Sequence, residues 1–239
     1  MATDSNNQSP PWTLAGFNLG MRLALPVLPG MIAFGLAVGA TAARKGFSFV
    51  DSLVMNVVVY AGMSQLVAME AWPERVTLGA MAALAVLMIT VNARMLLMSA
   101  ALYPWLQASP PWRIYPTLHV LADPSWFIAM RYRAEGGSDA GILLGSSVLL
   151  AVAWIAATCV GHVGGTLIVD PRRYGIDLVM PIFFAAMLIP LWRGSRRAVA
   201  WIIAGVVAVA VHQLVGGWWF IVAGAVAGSV VGGFIDDDD

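Results

Sequence analysis

One long apolar segment of the chain carries a single charge. Between Arg75 and Arg113 the only charged residue is Arg94, which follows Asn92 by two positions. A segment this long and apolar is typical of a membrane span, where an arginine at the bilayer centre costs about 2.5–3.5 kcal/mol on insertion scales. Such a side chain needs water, a carboxylate or backbone carbonyls as a partner. We therefore predict that Asn92 and Arg94 lie at the centre of a polar path through a membrane protein.

An alternative gives both residues a local role. Arg94 would end a helix and extend its guanidinium to the headgroup layer, while Asn92 would cap a break. The run from Val76 to Leu106 is too long for one straight span at about 1.5 Å per residue, which keeps this alternative open.

The composition extends the membrane interpretation to the whole chain. Of 239 residues, 60% are hydrophobic and 11% are charged, and the 13 basic residues balance the 13 acidic ones. We predict a single polytopic membrane domain over residues 1–239, with a polar tail at 1–11 and a loop at 104–139. A basic nucleic-acid surface is excluded, and Cys159 has no second cysteine with which to form a disulfide or a metal cluster. No cofactor or metal is expected.

The apolar runs predict an all-α integral membrane fold of about seven transmembrane helices. A segment at 118–132 is expected to be an interfacial, re-entrant or spanning helix, and the arginines in the loops place the N-terminus outside and the C-terminus inside. The predicted spans are 16–43, 52–69, 76–105, 141–165, 176–192, 198–211 and 217–234.

Prolines interrupt the apolar runs in both halves of the chain. Pro26, Pro29 and Gly30 fall inside the first run, and Pro181 and Pro190 fall inside the fifth. Proline removes a backbone hydrogen bond, so we predict discontinuous helices at these points. Paired interruptions fit the inverted repeat of secondary transporters, although no residue-level repeat is visible.

A polar cluster lies within the second run. Over six residues the chain offers the Tyr60 phenol, the Gly62 backbone, the Ser64 hydroxyl and the Gln65 amide. These groups could hold a small polar solute, with Gly62 allowing a ligand to approach the backbone. Hydrogen bonding between helices is an equally acceptable role for Ser64 and Gln65.

Two other features admit two explanations each. Asp123 is the most plausible internal partner for Arg94, or else it faces water from an interfacial helix. Gly224, Gly228 and Gly232 recur every four residues and form either a helix-packing face or a contact for a second subunit.

Taken together, several short motifs resemble the AzlC family over nearly the full chain and in the expected order. They are Pro26 to Gly39 (P-x-x-x-G-x-x-x-F-G-x-x-x-G, from Pro26), Tyr60 to Gln65, Asn92-x-Arg94, Leu121-Ala122-Asp123, Ala153-Trp154 and Gly175-Ile176-Asp177. The resemblance implies the large subunit of a two-component exporter of branched-chain amino acids. It also implies a small hydrophobic AzlD-type partner and a bacterial cytoplasmic membrane.

An amino-acid zwitterion needs partners for both of its charges. Helix N-termini at Pro29 and Gly30, with Gln65, Asn92 and Arg94, could meet the carboxylate, and Tyr60, Ser64 and Asp123 could meet the ammonium. The chain carries no phosphate-binding loop, so we expect transport coupled to protons, with Asp123, His119 and Asp177 as the candidate protonation sites.

Three other functions stay open from the sequence. The chain could be the membrane subunit of an ATP-driven transporter or a passive channel. It could also be an intramembrane hydrolase with Ser64 as nucleophile and His162 or His212 as base.

Overall fold

The computed structural model describes residues 9–73, 75–167, 185, 192, 194–215 and 219–236. Regular structure within these residues is helical, as predicted. The chain forms two compact units, one from residues 1–69 and 92–180 and the other from residues 70–91 and 181–239.

The first apolar run stays helical through its prolines. Helix α1 (Leu14–Ala24) leads through a 3-10 turn at Leu25–Val27 into α2 (Leu28–Arg44). Pro26 and Pro29 each fall in the first two positions of a helical element, where the missing N–H removes no helical bond. The predicted discontinuity is therefore only a tightening of the helix. Pro29 and Gly30 lie exposed on its surface rather than at an open helix end.

The second apolar run is the one that breaks. Helix α3 (Phe49–Val59) ends before Tyr60, and α4 (Gly62–Glu70) begins two residues later. The predicted span over 52–69 therefore consists of two short helices. The break has no proline to mark it, because Tyr60 turns the chain by adopting φ 31° and ψ 54° in the left-handed region.

Helix α5 (Leu78–Leu106) runs without interruption for 29 residues. The run thus forms one helix, and Asn92 lies within it and caps no break. Residues 78–91 belong to the second unit and residues 92–106 to the first.

The loop predicted at 104–139 contains two short helices. Helix α6 (Pro111–His119) and α7 (Asp123–Ala134) are separated at 120–122, so the helix predicted over 118–132 is divided. Helix α8 (Gly141–Leu167) follows and agrees with the predicted fourth span.

Helices α1 and α2 pack against α8 along their length through glycines. A Cβ on Gly20 would lie 2.1 Å from the Ile142 carbonyl oxygen, and one on Gly39 would lie 2.0 Å from that of Thr158. Gly145 and Gly161 meet the opposite backbone equally closely. Small residues allow this approach where lipid provides little hydrophobic drive for helix association.

In the second unit, α9 (Ser195–Leu214) packs against α10 (Trp219–Asp236). The glycine series of α10 lies on this contact, since a Cβ on Gly224 would meet Ala208 and one on Gly228 would meet Ala204. Gly232 faces Ala200 at a longer distance. The face predicted for a helix or a second subunit is therefore occupied by a helix of the same chain.

Within the part of the chain that the structure describes, three continuous helical segments are long and apolar enough to cross a bilayer: Leu14–Arg44, Leu78–Leu106 and Gly141–Gly165. Shorter apolar helices cover Phe49–Val59, Ala198–Leu214 and Trp219–Ile235. The fifth predicted span, 176–192, lies outside the described residues except at Ala185 and Trp192.

Substituting Gly39 tests the close contact of α2 with α8. Gly39→Ala should lower the melting temperature of the purified protein, because the new methyl group meets the Thr158 and His162 backbones and overpacking costs about 1–3 kcal/mol. Gly205→Ala is the matched control, because open space surrounds Gly205 on α9. The control should be neutral or stabilising by up to about 1 kcal/mol. Equal melting temperatures for the two variants would contradict the contact.

Candidate functional site

The break between α3 and α4 exposes backbone groups that a continuous helix would pair. The last carbonyls of α3 and the first N–H groups of α4 lack intrahelical partners. Tyr60 and Ala61, which form the break, are 8% and 7% exposed. A non-glycine residue with positive φ in such a buried position is uncommon and typical of functional sites.

Trp154 of α8 holds the two sides of the break together. Its indole N–H donates to Asn56 Oδ1 over 2.8 Å, and Asn56 Nδ2 donates to the Ser52 carbonyl over 2.7 Å. Both ends of the Asn56 amide are therefore hydrogen-bonded, the oxygen to α8 and the nitrogen within α3. The same indole covers Gly62 at the start of α4, where a Cβ would lie 2.5 Å from Cη2. Gly62 thus makes room for Trp154.

The Gln65 side chain on α4 contacts the last turns of α3. Its Nε2 donates to the Met55 carbonyl over 3.0 Å. Its Oε1 is buried with no hydrogen-bond partner among the described residues, and the side chain is 2% exposed. Because a carbonyl only accepts, the contact with Met55 fixes which end of the amide is the oxygen.

The Tyr60 hydroxyl is the second buried group in this region without a partner among the described residues. Buried polar atoms are normally hydrogen-bonded, and exceptions call for an explanation such as an unfilled ligand position. Tyr60 and Gln65 were both predicted as site residues, and the structure places both at the break.

Ser64 and Asn92 connect the break to the middle of α5. The Ser64 hydroxyl lies 3.0 Å from Asn92 Oδ1 and 2.9 Å from the Ala61 carbonyl, so its one proton is shared between two acceptors. Neither acceptor is a base, so Ser64 does not form the serine–histidine contact of the hydrolase hypothesis.

His119 approaches the break from α6. Its Nε2 lies 2.9 Å from the Val57 carbonyl, and a carbonyl accepts, so the ring nitrogen donates. Val57 is among the last four residues of α3, whose carbonyls lack helical partners. His119 therefore caps the broken end of α3.

Arg94 pairs with Asp123, as predicted. The guanidinium Nη1 lies 2.6 Å from Asp123 Oδ1, and the two side chains are 30% and 31% exposed. Asp123 is the first residue of α7, where the helix dipole favours a carboxylate. Arg94 Nε is buried without a partner among the described residues.

Asn92 and Arg94 do not face one common path. Residues two apart on a helix point about 200° apart around its axis. Asn92 accordingly contacts α4 and Arg94 contacts α7. The predicted polar centre is thus divided between two neighbours of α5.

Among the predicted site residues, the break unites Tyr60, Gly62, Ser64, Gln65 and Asn92, with His119 at its edge. Pro29 and Gly30 lie on a continuous helix, and Asp177 lies outside the described residues. Sequence reasoning missed Asn56 and Trp154 as site residues. A single amide in the apolar stretch Val54–Val59 was the available signal.

These features define an all-helical membrane protein with a buried polar helix break. The family description "AzlC protein" matches residues 26–168, more than half of the chain. The chain belongs to the AzlC family. The resemblance in its motifs is thereby confirmed.

Curated relatives match over most of the chain. The Bacillus subtilis "Branched-chain amino acid transport protein AzlC" is 25% identical, over 94% of this chain and 86% of its own. An "Uncharacterized membrane protein" of Archaeoglobus fulgidus is 27% identical over 92% of this chain and 95% of its own. One of Helicobacter pylori with the same description is 26% identical, over 87% and 90%. No solved structure shows significant similarity.

Replacing Trp154 tests its role at the break. Trp154→Phe keeps a ring over Gly62 but removes the donor to Asn56 Oδ1. We expect a loss of about 1–3 kcal/mol of stability, because a buried acceptor is left unpaired. The double variant Trp154→Phe/Asn56→Leu should lose less than the sum of the single variants, measured by thermal unfolding in detergent. Additive losses would show that the two side chains act independently.

Proposed function

We propose that this protein is a secondary transporter that exports branched-chain or similar apolar amino acids across the bacterial cytoplasmic membrane. The observation that carries the proposal is the buried break between α3 and α4, with the unpartnered Tyr60 hydroxyl and Gln65 oxygen beside it. Broken helices in transporters place substrate between the ends of two half-helices.

The two ends of the break suit the two charges of a zwitterion. The N-terminus of α4 carries partial positive charge, which favours a carboxylate, and the C-terminal end of α3 carries partial negative charge, which favours an ammonium group. Ser64, next to the α4 N-terminus, and Asn92 extend the polar surface of this region.

Arg94 and Asp123 take a different part in this proposal from the one the sequence predicted. Because they neutralise each other at 2.6 Å, neither offers an unmatched charge to the substrate in this conformation. We assign them to coupling instead. Protonation of Asp123 would release the Arg94 guanidinium from its partner, so that proton binding changes the charge balance beside α5.

The remaining parts of the proposal rest on family membership. The name of the Bacillus subtilis relative supports branched-chain amino acids as substrates. We propose a small hydrophobic AzlD-type membrane subunit as partner and a multi-pass topology. His119 is a secondary candidate for proton transfer, because it already caps α3. Asp177, which lies outside the described residues, is the other secondary candidate.

Efflux of preloaded leucine, valine and methionine tests the transport function directly. We expect efflux that requires the small partner and is lost with a proton uncoupler. Tyr60→Phe should reduce leucine efflux about 10- to 100-fold, as expected for loss of one hydrogen bond to a charged group. It should leave the melting temperature unchanged, because the hydroxyl has no partner among the described residues.

Other outcomes would redirect the proposal. Efflux that resists uncoupling but needs ATP would identify an ATP-driven transporter, and movement only down a gradient would identify a channel. No efflux of any of the three amino acids, with both subunits present in the membrane, would reject the proposed substrates.

Asp123→Asn tests the coupling role. The variant keeps the shape of the side chain but cannot titrate and leaves Arg94 without its anionic partner. We expect efflux that no longer responds to the proton gradient across the membrane. Full pH-dependent efflux in this variant would remove Asp123 as the coupling group. Glu135→Gln is a suitable control, because Glu135 forms an exposed ion pair with Arg131 at the C-terminal end of α7, whereas Asp123 begins this helix.

A further inference from the structure

We infer that Gln65 accepts a hydrogen bond from the substrate's α-ammonium group, so that the site selects for a free amino group. This inference deepens the proposed function and rests on it. It reverses the role expected from the sequence, in which Gln65 was to meet the carboxylate.

The orientation of the Gln65 amide decides its role. The Met55 carbonyl accepts from Nε2 over 3.0 Å, which turns Oε1 away as the atom available to a ligand. An amide oxygen has no proton to donate. A carboxylate would meet only repulsion there, whereas an ammonium group brings three donors.

The position of the amide strengthens this assignment. Gln65 lies against the last turns of α3, where carbonyl groups point toward the break and carry partial negative charge. One of these carbonyls, that of Val57, already accepts from His119. A cationic donor bound beside Gln65 therefore experiences both the helix end and the amide oxygen.

Burial makes this oxygen selective. The Gln65 side chain is 2% exposed, so water does not replace a missing donor as it would at a surface. A ligand with the same carboxylate and side chain but no amino group leaves the oxygen unpaired. Sites built to hydrogen-bond a substrate group reject analogues that lack it.

The test compares two ligands that differ only at the amino position. The purified full-length protein, assembled with its partner where required, is titrated with leucine and with 4-methyl-2-oxopentanoate, and ligand binding is measured by thermal shift in detergent. We expect the wild type to bind leucine more tightly than the oxo acid. Gln65→Met should weaken leucine binding about 10- to 100-fold and change oxo-acid binding less than about threefold.

Two further variants separate recognition from folding. Gln65→Glu should retain most leucine binding, because a protonated carboxyl group can donate to Met55 and still offer an acceptor oxygen. Gln213→Met makes the same chemical change at an exposed position on α9 and should leave both affinities unchanged.

The outcomes distinguish this inference from the proposed function. Equal weakening of both ligands by Gln65→Met, or no weakening of leucine, would overturn the ammonium role while leaving amino-acid transport in place. A wild type that binds none of leucine, valine and methionine would overturn both.

Discussion

The candidate site depends on one interaction that crosses the break in the second apolar run. The Trp154 indole donates to Asn56 on α3 and covers Gly62 on α4. It thereby holds together two half-helices whose helical hydrogen bonding is interrupted at Tyr60 and Ala61. Its ring also meets Phe34 on α2 at a centroid distance of 5.2 Å. Trp154, Asn56 and Phe34 are all buried, so packing and a hydrogen bond support both sides of the break.

The helices that support the break are distinct from the polar groups that lack hydrogen-bond partners. The glycine contacts of α1 and α2 with α8 place α8 against two helices over most of its length, and α8 in turn carries Trp154. Beside this support, the Tyr60 hydroxyl and Gln65 Oε1 lack partners among the described residues. Preorganised groups of this kind lower the ordering cost of binding, which a transporter needs if substrate is to be held and then released.

The charged pair serves a different purpose from the neutral polar groups. Arg94 and Asp123 lie in direct contact, so neither carries an unbalanced charge into the membrane. Under the proposed function, neutral donors, acceptors and helix ends would recognise substrate, and a proton would act on the charge pair while these binding groups stay in place.

The sequence alone determined the fold class and most helix positions, and it offered Asp123 as the most plausible partner of Arg94, because apolar length and an isolated buried charge admit few solutions in a bilayer. It also identified Tyr60, Ser64, Gln65 and Asn92 as the polar residues of interest. It misplaced the break, because proline at the start of a helical element costs no bond at Pro26 and Pro29, whereas the left-handed turn at Tyr60 has no such marker. Only the tertiary structure decided that Gln65 donates to the Met55 carbonyl and that Trp154 covers Gly62, since both follow from contacts between different helices.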